Sequence, residues 1–262
     1  MKWRHAGASV MGTSHVGSSL PCQDAHACAL YRDKTGKEIL VLVASDGAGT
    51  AKRADEGAQL ATASFQEAVK EYWVGRAEGE FDEAAFRRLI GITRAALVSK
   101  AQQQGEALRA YACTFLVAVI GEEMAGFCQL GDGVIVVSEL GDGEEWSWVF
   151  WPQRGEFANA TAFLTDDDAL EQIEVEISRR RVEEIAVLTD GIERIVLKYD
   201  TQTVFSPFFE TMFPPIRASS FVGPDAALSD ALATYLNSQQ VNQRTDDDKT
   251  LILATRRKGG DR

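Results

Sequence analysis

Histidine and cysteine are scarce, with three and four in 262 residues. Cys22, Cys28, Cys113 and Cys128 form no close ligand pair, and the last two sit inside apolar, strand-like runs. That argues against a structural zinc site or a disulfide framework, and for reduced thiols in a cytoplasmic protein. Basic charge is also short: 27 Lys and Arg face 39 Asp and Glu, a formal net charge of −12. A nucleic-acid binder needs a basic face, and an anionic membrane surface selects for one too. Long apolar runs are missing. Residues 39–44 and 115–120 are the longest, far short of the ~20 a bilayer span requires. Met1-Lys2-Trp3-Arg4-His5 leads into small and polar residues without an apolar segment, so no secretory signal is expected. Internal repeats and low-complexity linkers are absent. What remains is ordinary globular composition, 45% hydrophobic and 25% charged, which excludes a disordered chain, a collagen-like repeat or a coiled-coil rod. The length suits one large domain or two small ones and suffices for a full core.

Residues 1–33 read as short strands and turns. ILVLVA at 39–44 is a buried strand by its length and β-branched content. Ala61, Phe65, Val69 and Tyr72 then mark one helical face, with Asp55 and Glu56 in the first turn. Phe86, Leu89, Ile90, Thr93 and Leu97 mark a second. Strands are expected at 112–120, 124–130, 134–140, 144–151, 163–165, 173–177, 182–188 and 251–254. Residues 204–215 read as helix then loop, and 225–238 as helix, with a frayed basic tail at 255–262. Trp146, Trp148 and Trp151 alternate as packing residues. Asp166-Asp167-Asp168 reads as a solvated loop or helix start, and 155–159 as a loop beside the site. Strands, two long helices, more strands and late helices point to antiparallel sheets with packed helices, not a βαβ alternation.

Acidic residues recur at strand ends. Asp46 follows ILVLVA, Asp132 follows Leu130, and Asp190 follows Leu188. Asp246, Asp247 and Asp248 precede the last strand, and Asp24 lies near the first ones. Asp-Gly alone is a common turn dipeptide. Several carboxylates gathered at buried strand ends would repel one another without a cation. An oxygen-only set suits Mg²⁺ or Mn²⁺.

The motifs Gly12-Thr13-Ser14-His15, Pro21-Cys22-Gln23-Asp24-Ala25, Ala44-Ser45-Asp46-Gly47-Ala48-Gly49, Gly131-Asp132-Gly133, Leu188-Thr189-Asp190-Gly191 and Asp247-Asp248-Lys249-Thr250 follow in this order. Together they resemble the metal-dependent type 2C (PPM) serine/threonine protein phosphatases, in their divergent bacterial branch. The resemblance runs from about residue 7 to 254 and implies a single domain over 1–262. The implied fold is α+β: a four-layer α-β-β-α sandwich of two antiparallel sheets flanked by helix pairs. Two or three Mn²⁺ or Mg²⁺ ions are implied at one edge. In that scheme Asp46 bridges two metals and Gly47 lends its carbonyl. Asp190 and Asp247 complete one shell, Asp24 holds a metal-bound water, and Asp132 serves a third ion. Asp46, Asp24 and Asp190 thus hold a water nucleophile that loses a proton near neutral pH and attacks phosphorus in line. Phosphorylated serine/threonine proteins are the implied partners, with neither nucleic acid nor membrane. A monomer is the simpler expectation for an oligomeric state left open.

Four positions depart from the family pattern. Ser19 stands where a phosphate-clamping Arg is usual, and a hydroxyl does not replace a bidentate guanidinium. His15, Lys52 and Arg53 are the candidate substitutes. Gln23 replaces a Glu. Ala48 replaces a His that serves as general acid in eukaryotic members, leaving His15 or a water to protonate the leaving group. Asp248 replaces an Asn, which leaves the ligand register open among Asp246, Asp247 and Asp248. A degenerate phosphatase domain acting as a phosphoprotein-binding scaffold is the alternative reading. A haloacid-dehalogenase-like enzyme is a third, disfavoured because no Asp-x-Asp pair follows ILVLVA.

Overall fold

The computed structural model describes residues 2–18, 20–139, 145–153 and 161–257. The first half holds β1 (Lys2–Val10), α1 (Thr13–Ser18), β2 (Asp24–Arg32), β3 (Glu38–Asp46), α2 (Ala54–Trp73), α3 (Glu83–Gln104), β4 (Phe115–Ile120), β5 (Ala125–Leu130) and β6 (Val134–Ser138). After them come β7 (Ser147–Trp148), α4 (Ala169–Gln172), β8 (Glu174–Ser178), β9 (Glu184–Leu188), α5 (Glu193–Val196), β10 (Leu197–Lys198) and β11 (Thr203–Val204). The chain closes with α6 (Ser206–Ala218), β12 (Gly223–Pro224), α7 (Ala226–Leu236), α8 (Gln239–Asn242) and β13 (Lys249–Arg257).

Two sheets and their helices make an α+β fold. One sheet runs β2-β3-β4-β5-β8 and the other β12-β1-β13-β9-β6-β7. Neighbouring strands are antiparallel except β1 and β12, which pair in parallel over two residues.

Three apolar clusters show why the strands read as continuous apolar runs. In β3, Ile39, Val41 and Val43 pack with Phe65, Val69, Phe86 and Leu97 of α2 and α3. The alternate residues Leu40, Leu42 and Ala44 pack with Ile135, Ile185, Val187 and Ile252 of the other sheet. That sheet's outward residues, among them Leu188, Leu251 and Leu253, meet Phe209, Phe213, Leu232 and Leu236 of α6 and α7. A strand buried on both faces has no polar phase in its period of two. The acid-rich first turn of α2 and the Asp82 side chain, which accepts from Ala85 N–H at the start of α3, place both helices where the sequence expects them.

Several expectations need correction. Residues 163–165 are not a strand. Phe163 N–H bonds the Asp166 carboxylate at 2.8 Å and Leu164 N–H bonds Cys113 carbonyl at 2.8 Å, which folds the segment into a turn. The strand expected over 144–151 shrinks to Ser147–Trp148; residue 144 lies outside the described residues. Trp146 stacks on Phe209, whereas Trp148 is exposed and meets Trp151 edge-on at 5.6 Å. Helix α6 continues through Pro214 and Pro215 rather than ending before them. The tail does not fray at its start. Arg256 is a buried β13 residue whose guanidinium donates to the carbonyls of Gly121 and Glu122. All four cysteines are free thiols. Among the described residues no helix is long and apolar enough to cross a membrane.

The chief buried ion pair lies at the opening of β9. Glu184 is fully buried and accepts from Arg217 of α6 at 2.6 Å, Arg257 of β13 at 2.6 Å and Thr255 at 3.0 Å. Glu184→Ala removes the carboxylate that both guanidiniums grip. It is expected to cost about 3 kcal/mol, read as a lower urea midpoint with an unchanged slope.

Candidate metal centre

One edge of the two sheets collects the acids. The β2–β3 register sets Asp24 directly opposite Asp46, the last residue of β3. Leu188, the last residue of β9, pairs with Leu251 on one side and Val134 on the other. Asp190, just past β9, and Asp247, just before β13, are thereby brought to the same edge. So is the turn Gly131-Asp132-Gly133, which carries the chain from β5 in one sheet to β6 in the other. That turn needs φ of +105° at Gly131, a left-handed conformation that favours glycine. Gly191 answers a different demand: a Cβ there would fall 1.8 Å from the Asp248 carbonyl oxygen, so the two acidic loops touch backbone to backbone.

Carboxylate oxygens of Asp46, Asp132 and Asp190 lie within 4.8 Å of one another. Asp247 is outside that trio, but its charge bears on both Asp46 and Asp190. Burial pushes the Asp46 carboxyl well above the ordinary range, and the charges of Asp24, Asp190, Asp247 and Asp132 add to the rise. Burial, with Asp132, Asp247 and Asp24, lifts Asp190 to about 8. Asp24 is lifted to about 7, again chiefly by burial, against the lowering effect of bonds from Thr250 and Thr189.

Asp248 is engaged by the loop before β2. Its carboxylate accepts from Gly12 N–H at 2.6 Å, Gln23 N–H at 2.5 Å and His15 Nδ1 at 2.9 Å, and it is buried. It is spent on holding the loop before β2, which leaves Asp247 as the freer carboxylate. The same contacts commit His15 Nδ1, which also sits 3.1 Å from Pro21 carbonyl. Lys52 bonds Glu106 at 2.6 Å, and Arg53, at the start of α2, pairs with Glu56 at 2.5 Å and Glu106 at 3.6 Å. Gly47 N–H bonds Gln23 carbonyl at 3.1 Å, and buried Ala48 donates its N–H to Ala112 carbonyl at 2.9 Å. Ser19 and residues 155–159 lie outside the described residues.

Sequence reasoning passed over two kinds of group here. Thr189 and Thr250 donate to Asp24, and Thr161 donates to Asp132 at 2.8 Å. Lys249 is fully buried beside the acids, its Nζ 3.0 Å from both the Asn242 side-chain oxygen and the Asp247 carbonyl. Thr189, Lys249 and Thr250 stand inside the quoted motifs, so adjacency to the acids was their only signal; Thr161 is 29 residues from Asp132 and had none.

The donors fit a divalent cation. Gln23 Oε1, Asp24 Oδ1 and Asp132 Oδ1 are buried oxygens with no hydrogen-bond partner. Three carboxylates share 4.8 Å, and no His or Cys joins that trio. An all-oxygen set of this charge matches hard ions such as Mg²⁺ or Mn²⁺.

Residues 11–237 match the protein phosphatase 2C family, and the chain belongs to that family. Serine/threonine-protein phosphatase 3 of Escherichia coli (strain K12) is 36% identical over 254 residues, covering 97% of this chain and 98% of that protein. Among solved structures, Staphylococcus aureus serine/threonine phosphatase Stp1 superposes with a TM-score of 0.63 at 15% identity, covering 97% of this chain and 95% of that one. The catalytic domain of the serine/threonine protein phosphatase PstP, solved with two manganese ions, gives 0.60 at 14%, covering 97% and 98%. At these identities the structural likenesses speak to the fold.

Asp190 links the fold to pH. Its folded carboxyl keeps a proton up to about pH 8, against an ordinary value of 3.8. Folding therefore favours the protonated form, and stability present near pH 4 is lost as pH rises through about 8. In EDTA, Asp190→Asn is expected to melt higher than wild type by a few °C at about pH 8, with the gap shrinking towards pH 4. A calorimetric scan showing the variant equal or lower at the upper pH contradicts this electrostatic account.

Proposed function

We propose that the chain is a metal-dependent serine/threonine protein phosphatase that hydrolyses phosphoseryl and phosphothreonyl proteins. The observation that carries this reading is the meeting of Asp46, Asp132 and Asp190 from three distant chain segments within 4.8 Å, in a member of the protein phosphatase 2C family. The finer reading is one catalytic domain in a four-layer α-β-β-α sandwich, acting as a cytoplasmic monomer. The sheet topology supports it over a haloacid-dehalogenase-like enzyme, which needs a parallel sheet.

Asp46, Asp190, Asp132, Asp247 and the Gly47 carbonyl are the groups that would hold two Mn²⁺ or Mg²⁺ ions, or three. When bound, such cations cancel the clustered negative charge, draw in a phosphate anion and lower the pKa of water. The chain's own residues do the rest. Asp46, fixed at the end of β3 by Thr114 bonds to its backbone at 2.8 and 2.9 Å, presents its carboxylate from a rigid strand end. Asp24, opposite it in register, offers Oδ1 to orient the attacking water. Gln23 keeps one more carboxylate out of the cluster, since its neutral amide oxygen is buried there. With Ala48 buried, protonation of the departing seryl or threonyl oxygen falls to solvent or to His15 Nε2, because His15 Nδ1 is committed. Lys52 and Arg53 are the cations available to steer the phosphoprotein, in exchange with their partners Glu106 and Glu56.

Purified protein is expected to hydrolyse p-nitrophenyl phosphate and a phosphothreonine peptide only with added Mn²⁺ or Mg²⁺. EDTA should stop turnover and excess Mn²⁺ restore it. Asp46→Asn should lower kcat by about a thousandfold or more while the circular dichroism spectrum stays that of wild type. Turnover indifferent to EDTA sinks the proposal. Calorimetric Mn²⁺ binding without hydrolysis of any phosphopeptide selects the scaffold reading instead.

A further inference from the structure

Asp24 is held asymmetrically. Thr189 Oγ1 at 2.8 Å and Thr250 Oγ1 at 2.7 Å both reach Oδ2, whereas Oδ1 is buried and has no hydrogen-bond partner. The contacts continue away from the metal edge. Thr250 Oγ1 lies 2.6 Å from Ser9 Oγ, and Ser9 Oγ lies 2.8 Å from His26 Nδ1. Strand register builds this path. Ser9 faces Thr250 across β1 and β13, and His26 follows Asp24 by two residues on the same face of β2. The path thus leaves β2 at His26, runs through Ser9 and Thr250 of the other sheet, and returns to β2 at Asp24.

Proton counting gives it a direction. A hydroxyl has one proton to donate. With Asp24 ionised, as cation binding demands, Thr250 spends its proton on Oδ2 and must accept from Ser9. Ser9 then has none left for the imidazole, so His26 must carry its proton on Nδ1 and donate it. Thr189 fits the same scheme, giving its proton to Asp24 and accepting from Thr250 N–H at 3.0 Å. A charged imidazole serves Ser9 and the Gly7 backbone at once, whereas a neutral one has a single N–H, which the count assigns to Nδ1.

We propose that Ser9, His26, Thr189 and Thr250 are positioning residues for Asp24. A one-way chain from His26 Nδ1–H through Ser9 to Thr250 ends, together with Thr189, on Oδ2 and reserves Oδ1 for the metal centre. The importance of Oδ1 rests on the phosphatase reading; the direction of the chain does not. Neutral donors suit the task because they orient the carboxylate without cancelling its charge. Hydrogen bonds of this outer kind typically set metal affinity or activity by ~10–100-fold.

The test pairs two substitutions with one spectrum. Thr250→Val keeps the shape and deletes the hydroxyl; Thr250→Ser keeps the hydroxyl and deletes the methyl. By electron paramagnetic resonance titration of free Mn²⁺, the Val variant is expected to bind about tenfold more weakly, and the Ser variant within about threefold of wild type. For a phosphopeptide, kcat should fall in the Val variant while KM holds. Val equal to wild type, or Ser worse than Val, overturns the proposal, since a packing role follows shape. Nitrogen NMR of Mg²⁺-loaded wild type provides the arm that no misfolded variant can spoil. The His26 Nδ1 signal is expected in the protonated, pyrrole-type range, and a pyridine-type Nδ1 overturns the chain. Wild type that binds Mn²⁺ yet releases no phosphate defeats the phosphatase reading alone, because the binding and NMR results still judge the chain.

Discussion

Mutual repulsion among buried carboxylates is the constraint that organises this molecule. Burial first, and then the charges of neighbouring acids, raises the carboxyls of Asp24, Asp46 and Asp190 above the ordinary range. Taking such groups out of water already opposes their charged form, and placing them together opposes it again. The folded chain can hold this arrangement because its stability comes from elsewhere: three apolar clusters and paired charges away from the edge, with Glu184 gripped by two arginines.

Rigidity is the second requirement. Carboxylates on flexible loops would move apart, so each acid here is tied to a strand end or to a turn joining two strands. Asp46 closes β3, Asp132 sits in the turn from β5 to β6, and Asp190 follows β9. Asp247 precedes β13, whose pairing with β9 fixes the distance between the last two acidic loops. Burial of β3 on both faces locks its register, because a slip of one residue would exchange every side chain between two differently shaped apolar layers. The precision of the acidic edge is thus inherited from the packing of Ile39 to Ala44.

Much of this was legible in the chain. ILVLVA, the helical faces of Phe65 and Phe86, and the acids after Leu130 and Leu188 each carry a local signal: a period, a run or a turn dipeptide. What escaped is what depends on tertiary neighbours. Residues 163–165 resemble a strand by composition, yet Asp166 turns them. The basic tail resembles a frayed end, yet carbonyls of Gly121 and Glu122 pull Arg256 into the fold. At the site, the choice between Asp247 and Asp248 could not be read from Asp246-Asp247-Asp248. In the fold Gly12, Gln23 and His15, all more than 200 residues away in sequence, occupy Asp248, and no run of three aspartates announces that.

The sorting of charge follows from the same constraint. Among the described residues, the hydrogen-bond partners of Asp24, Asp132 and Asp248 are hydroxyls, backbone N–H groups, a thiol and one imidazole. Two groups of ionic pairs lie at the other ends of the strands, where Lys2 and Arg32 meet Glu38, and Arg217 and Arg257 meet Glu184; nearer the acids, Lys52 and Arg53 pair with Glu106 and Glu56. An arginine inserted among the acids would form a strong charge-assisted bond and relieve their repulsion from within. It would also fill the place of an external cation, because a carboxylate already bound bidentately has few lone pairs left to offer. Neutral donors orient the same oxygens and leave the charge uncompensated. Lys249 shows the compromise: it is buried beside the cluster, but its ammonium bonds a carbonyl and an amide oxygen rather than a carboxylate. The edge therefore keeps both features that a divalent ion selects for, fixed oxygens and unspent negative charge.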